Sequence, residues 1–212
     1  YSGYHRLPEN IRVVGCWAHL RRKFDEAVNA LPKEQQTGCA ALEGLQYCNV
    51  LFAIEKELAD LPPEERYKQR LIRSKPVMDA LLAWAETKTA PPKSSLGKAL
   101  YYLREQWPYL KCFLEDGRLE ISNNRAERSM KPFVMGRKNW LFANTEGGAQ
   151  SSAIVYSLIE TAKENDLDPY RYLVYVLSRA PSMAVADREW ATKLTPDLVP
   201  VQYRRGQEDS TI

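Results

Sequence analysis

Apolar residues along the chain keep two different rhythms, and the change between them divides it. Residues 11–17 (IRVVGCW) form a short, β-branched apolar run, which predicts a buried strand. Over residues 18–30 (AHLRRKFDEAVNA) the spacing turns helical. Leu20, Phe24 and Val28 fall four apart on one face, with Arg21, Arg22 and Lys23 around them, and Pro32 closes the helix. From residue 36 to about 116 the pattern is helical nearly throughout. Leu42, Leu45, Val50, Leu51, Ile54 and Leu58 keep an apolar stripe until Leu61, where Pro62 and Pro63 stop it. A second stretch starts at Glu64, and Pro76 is expected to break or kink it before residues 77–85. Ala90, Pro91 and Pro92 read as a linker, and residues 95–115 carry Leu96, Leu100, Leu103, Trp107, Leu110 and Phe113 on a further helix. These helices read as a subdomain inserted between two other pieces of structure.

Asp116-Gly117 is a turn signal, and the texture changes there. Residues 119–121 make a short strand candidate, and strand character returns at residues 140–142 before a break at Gly147-Gly148. A long helix is predicted over residues 149–165, with Ala153, Ile154, Leu158 and Ala162 on one side. Asp168-Pro169 is an N-cap followed by a proline at the first helical position, opening a final helix to about Ser178. Beyond Pro181 the composition predicts a loosely held polar tail.

Composition changes this picture little. Hydrophobic residues make up 44% of the 212 residues and charged residues 27%, which excludes a disordered tail and allows a core. There is no apolar run long enough for a membrane span and no secretory leader pattern at YSGYHRLPEN. The absence of an initiator Met suggests a chain that begins within a longer one. The net charge of +3 names no partner by itself. Cys16, Cys39, Cys48 and Cys112 show neither a CxxC pair nor finger spacing to a His, so reduced cytosolic thiols are expected rather than zinc or disulfides.

Charge distribution is more informative. Asn123, Asn124, Arg125, Glu127, Arg128, Lys131, Arg137 and Lys138 place five cations around one acid within sixteen positions. On a helix starting near Asn124, the residues Asn124, Glu127, Arg128 and Lys131 share a face. An acid among Arg and Lys suits a phosphodiester enzyme, since the carboxylate can hold a hard divalent ion and the cations can grip flanking phosphates. The residues alone leave a second reading open. Asn124-x-x-Glu127 also fits a capping box, with the cations as a solvated face. His19, beside Arg21 and Arg22, could touch a phosphate or be a structural histidine. Trp140 next to Arg137 and Lys138 is the one aromatic considered for stacking on a base.

Three stretches, CWAHLRRKF, SNNRAERSMKPFVMGRKNWLF and GGAQSSAIVYSLIETAKENDLDPYRYLVYVL, resemble the DDE-type transposases of the insertion sequence 66 family, as does the opening YSGY. The resemblance implies an α+β fold, mostly helical: a partial ribonuclease H-like core interrupted by an all-helical insertion. It implies an acidic triad of two Asp and one Glu, with Glu127 matching the Glu and both Asp falling upstream of Tyr1. The implied divisions are residues 1–31 as the end of the core, 32–116 as the insertion, 117–166 as the Glu-bearing helix and core closure, and 167–212 as C-terminal helix and tail. The implied cofactor is Mg2+ or Mn2+, two ions in the complete site. The implied partner is DNA, both insertion-sequence ends and target, contacted by His19, Arg21, Arg22, Asn123, Asn124, Arg125, Arg128, Lys131, Arg137 and Lys138. Self-association into a homo-oligomer is compatible with it, membrane association is not, and the expected location is the bacterial cytoplasm at the nucleoid. With Glu127 as its one triad acid, the chain alone is expected to be inactive in DNA cleavage and strand transfer. The alternative is a non-catalytic DNA-binding or protein-interaction module.

Overall fold

A computed structural model describes the backbone of residues 11–140 and 143–206. Its residues divide into two compact units, Tyr1–Arg125 and Ala126–Ile212. Nearly all of the regular structure is helical. The first unit holds α1 (Trp17–Asn29), the short α2 (Lys33–Gln36), α3 (Ala40–Glu57), α4 (Pro63–Gln69), α5 (Lys75–Thr87) and α6 (Ser95–Leu110). It ends in the start of α7 (Asn124–Trp140), whose remainder lies in the second unit with α8 (Glu146–Glu164) and α9 (Pro169–Ala186). No described helix is long and apolar enough to cross a membrane.

Among the described residues there is no strand, so the mostly helical part of the expectation is seen and its ribonuclease H-like part is not. Residues 12–16 form no regular element; a strand needs a lateral partner, and this backbone bonds to the end of a helix and to a loop instead. The Gly15 N–H donates to the Tyr109 carbonyl at 2.9 Å, and the Trp17 N–H, already opening α1, donates to the Ile121 carbonyl at 3.1 Å. Gly15 is required here, because a Cβ would lie 2.8 Å from the Leu110 backbone nitrogen. Residues 119–121 are likewise irregular. Trp140 ends α7, while Leu141 and Phe142 lie outside the described residues.

The first unit is organised around α1. Leu20, Phe24 and Val28 are buried as their spacing demands, against α3 and α6. The Phe24 ring meets Trp84 edge-on at 5.9 Å and lies so close to Gly44 that any side chain there would clash. Trp17 is fully buried between Trp107 and Phe113, both edge-on, and its indole N–H donates to the Leu110 carbonyl at 3.0 Å. That bond satisfies the one polar atom of a large buried ring.

Pro76 does not break its helix. The turn Arg70–Ser74 is a π-helix, and the Lys75 N–H reaches back five residues to the Arg70 carbonyl. The wider turn carries the chain past the proline, whose missing N–H would otherwise interrupt α-helical bonding.

In the second unit, Gly147 and Gly148 lie inside α8 rather than before it. Thr145 caps that helix, its hydroxyl accepting from the Gly148 N–H, so the glycines occupy the first turn. Asp168 caps α9 with Pro169 at the first helical position, and the helix continues through Pro181 to Ala186. Part of the predicted loose tail, residues 187–206, is tied to α9 at several points, and residues 207–212 lie outside the described residues. Three 3-10 turns follow α9, Leu194 is buried, and its carbonyl accepts from the buried Tyr172 hydroxyl at 2.9 Å. The Asp168 N–H donates to the Tyr203 carbonyl, and the Tyr203 ring meets that of Tyr175 at 4.8 Å, tilted by 60°.

Candidate nucleic-acid and metal-ligand site

Helix α7 begins at Asn124, so Glu127 stands in its first turn. Asn123, Asn124, Arg125, Glu127, Arg128 and Lys131 are all exposed. Because α7 is helical here, Asn124, Glu127, Arg128 and Lys131 fall on one side of the first two turns. A carboxylate in the first turn also sits favourably near the positive end of the helix dipole. Glu127 is therefore an exposed residue at the helix start and is not enclosed in a core.

The turn before it is anchored in the first unit. The Asn123 N–H donates to the Cys16 sulfur at 3.4 Å, and the Arg125 guanidinium pairs with Glu120 at 3.2 Å. The predicted cations are thus divided between the units. His19 is half-buried on α1, where the exposed Arg21 donates to the Asn49 side chain at 2.7 Å and Arg22 faces water. Those three belong with Asn123, Asn124 and Arg125, whereas Glu127, Arg128 and Lys131 belong to the second unit. The side chains of Arg137, Lys138 and Trp140 lie outside the described residues.

As a metal ligand, Glu127 has the right chemistry, a hard oxygen donor open to solvent, but one carboxylate does not make a site. Among the described residues no three His, Cys, Asp or Glu side chains are grouped to hold an ion.

Beside Glu127 along α7, an apolar cleft of about 530 Å³ opens between α7 and α8. Met130, Phe133, Ala153 and Tyr156 line it, with Glu160 and Glu164 at its edge. Phe133 and Tyr156 meet edge-on at 5.1 Å. A larger depression of about 760 Å³ in the first unit is bounded by Pro62, Tyr67, Glu115, Asp116 and Arg118. Two of its acids, Glu115 and Asp116, are paired with arginines. Arg118 holds the Asp116 carboxyl down to about 2 through paired hydrogen bonds, and Arg12 lowers Glu115 in the same way.

Sequence reasoning missed one polar cluster. Arg70 is completely buried and forks onto Glu55, at 2.9 and 2.6 Å. A buried arginine has no signature in hydropathy spacing. The four-residue interval from Arg66 to Arg70 was the only hint that both point the same way.

Comparison with known proteins gives a consistent result. The chain matches the model of the Transposase IS66 family over residues 1–151 and that of the IS66 C-terminal element over residues 157–191. It is 36% identical over 195 residues to the uncharacterized protein y4jD of Sinorhizobium fredii, which covers 90% of this chain and 37% of that protein. It is 34% identical over 199 residues to the uncharacterized protein y4hP of the same organism, covering 90% of this chain and 35% of y4hP. The chain thus spans about a third of the length of the curated relatives it matches. No solved structure matches it.

Proposed function

Because the chain belongs to the IS66 transposase family, we propose that it carries one acid, Glu127, of the site with which the whole protein cuts and rejoins DNA. Two aspartates from polypeptide beyond this chain complete that site, in a ribonuclease H-like core to which residues 1–31 and 117–166 contribute. Residues 32–116 form the helical insertion. With those aspartates Glu127 would hold Mg2+ or Mn2+, which would supply activation of a water or a 3′-hydroxyl and stabilisation of the leaving oxygen. The chain's own residues hold the sugar-phosphate backbone. Arg128 and Lys131 pair with phosphates on either side of the reacting one, and Asn123, Asn124 and Arg125 donate to phosphate oxygens. Arg137 and Lys138 extend that contact along the helix, with His19, Arg21 and Arg22 as a second set. Such contacts carry no base information and give affinity that falls steeply with salt.

The observation that carries the reading is the exposure of Glu127 in the first turn of α7, flanked on the same face by exposed Arg128 and Lys131. Glu127→Gln in the full-length protein is expected to abolish strand cleavage and joining while DNA affinity is unchanged, because it removes an ion ligand and no phosphate contact. Retained turnover, with only thermal stability reduced, would instead assign Glu127 a capping role and make the chain a DNA-binding module.

A further inference from the structure

Residues 115–123, which lead into α7, form no helix or strand, yet side chains from the inserted helices hold their carbonyls. Arg70 uses every donor it has. Besides the two bonds to Glu55, Nη1 donates to the carbonyls of Phe113 and Asp116, each at 2.9 Å, and Nη2 donates to that of Leu119 at 2.7 Å. Five N–H groups make five bonds, and the guanidinium also lies over the Phe113 ring, 5.0 Å from its centre. Arg66, one turn earlier, donates to the carbonyls of Leu58, Ala59 and Leu61 at the end of α3, and to that of Gly117. Gly117 is pressed so closely on the start of α4 that a Cβ would lie 1.8 Å from the Pro63 carbonyl oxygen. Beyond it, the Ile121 carbonyl accepts from Trp17 and the Asn123 amide donates to Cys16, immediately before α7 begins.

A buried Arg–Glu pair is on average no more stabilising than well-packed apolar residues of the same volume. What Arg70 adds here is direction. The Phe113 carbonyl of a 3-10 turn and the Asp116 and Leu119 carbonyls of the irregular chain after it are fixed to a rigid planar fork that lysine cannot imitate. We propose that Arg70, backed by Arg66, is a positioning residue for the start of the Glu127-bearing helix: the helices before residue 113 clamp the segment 113–119, which leads into the first residues of α7. The inference rests on Glu127 acting as the metal-site acid. It gives the inserted helices a task in the chemistry although none of their side chains touches the reacting atoms.

Arg70→Lys in the full-length protein keeps the charge and loses the fork. Cleavage at saturating DNA is expected to fall about 10²-fold, the scale of a small misplacement of a reacting group. The Mg2+ or Mn2+ concentration for half-maximal rate rises, DNA affinity is unchanged, and amide exchange over residues 115–123 accelerates while that of α1 and α6 does not. A folded Arg70→Lys protein with wild-type turnover and metal dependence overturns the proposal. Should that variant fail to fold, Arg66→Lys, whose side chain is partly open to solvent, decides: unchanged exchange over residues 115–123 overturns the clamp. Activity retained in Glu127→Gln sinks the reading of the acid itself. Loss in Glu127→Gln with none in Arg70→Lys sinks only the positioning role.

Discussion

The two units bury their apolar side chains to very different degrees. In the first, α1, α3, α5 and α6 enclose one continuous core of eighteen buried residues among those described, from Trp17 to Ile121. In the second, the corresponding cluster is Ala162, Leu167 and Tyr172, although that unit also has three long helices. The difference is visible on the surfaces of those helices. Met130, Val134 and Met135 on α7, Ile154 and Val155 on α8, and Val174, Leu177 and Val185 on α9 are exposed, Val185 by 90%. Burial of apolar area is the main favourable term in folding, so the first unit has a source of stability that the second largely lacks. The second unit compensates with local devices. Capping residues start α8 and α9, and buried tyrosines tie the last turns to α9.

A direct way to break this comparison is Phe24→Ala. Phe24 is fully buried, packed on Trp84 and against Gly44, and its loss should leave a cavity that the surrounding helices cannot close. The expected cost is about 3–5 kcal/mol. Denaturant unfolding followed by amide exchange should place the loss in residues 17–113, with the exchange of α8 and α9 unaltered. A cost near zero would mean the core is looser than its burial indicates.

The second unit calls for a smaller, polar test. Tyr172→Phe removes the hydroxyl that donates to the Leu194 carbonyl and leaves that acceptor buried without this donor. The expected loss is about 1–2 kcal/mol, read as faster exchange around Leu194 and Tyr203 while the first unit is untouched. If the exchange does not change, the turns after α9 are held by other contacts.

The same contrast explains how much could be read from the residues alone. The helices of the first unit were legible because a continuous core imposes the three-and-four spacing on every element that touches it, as Leu20, Phe24 and Val28 show. Where helices bury little, spacing carries less information. The Gly147-Gly148 pair read as a break although Thr145 makes it a helix start, and Pro181 read as an end although α9 continues past it. The apolar run 11–17 looks like a strand because partly buried chain has the same composition whether its backbone bonds to a strand or to the end of a helix. For the proposed site, the spacing agrees with the structure in putting Glu127 in the first turn of a helix with exposed Arg128 and Lys131. The arginine clamp was not, since directed bonds from a side chain to loop carbonyls depend on tertiary geometry that leaves no periodic trace.

The smallest expected effect is electrostatic and confined to the first unit. The Asp116 carboxylate accepts from Arg118 through Nε at 3.1 and 3.0 Å and Nη2 at 2.6 Å, and from the Arg118 backbone N–H at 2.8 Å. These bonds favour the ionised form and hold its pKa at about 2, below the ordinary 3.8. A carboxyl depressed by folding contributes stability that is fully present above the unfolded value and is lost as pH falls through the folded one. The window is therefore from 3.8 down to about 2. Both groups face water, so screening keeps the contribution small. Arg118→Ala should make the urea midpoint of the first unit fall less steeply across that window, with the part due to the backbone N–H remaining. It should leave the slope for the second unit as it was. Equal slopes in wild type and variant would mean that the pair does not persist in solution, and that the acid limb of stability arises elsewhere, with Glu115 and its partner Arg12 the next pair to test.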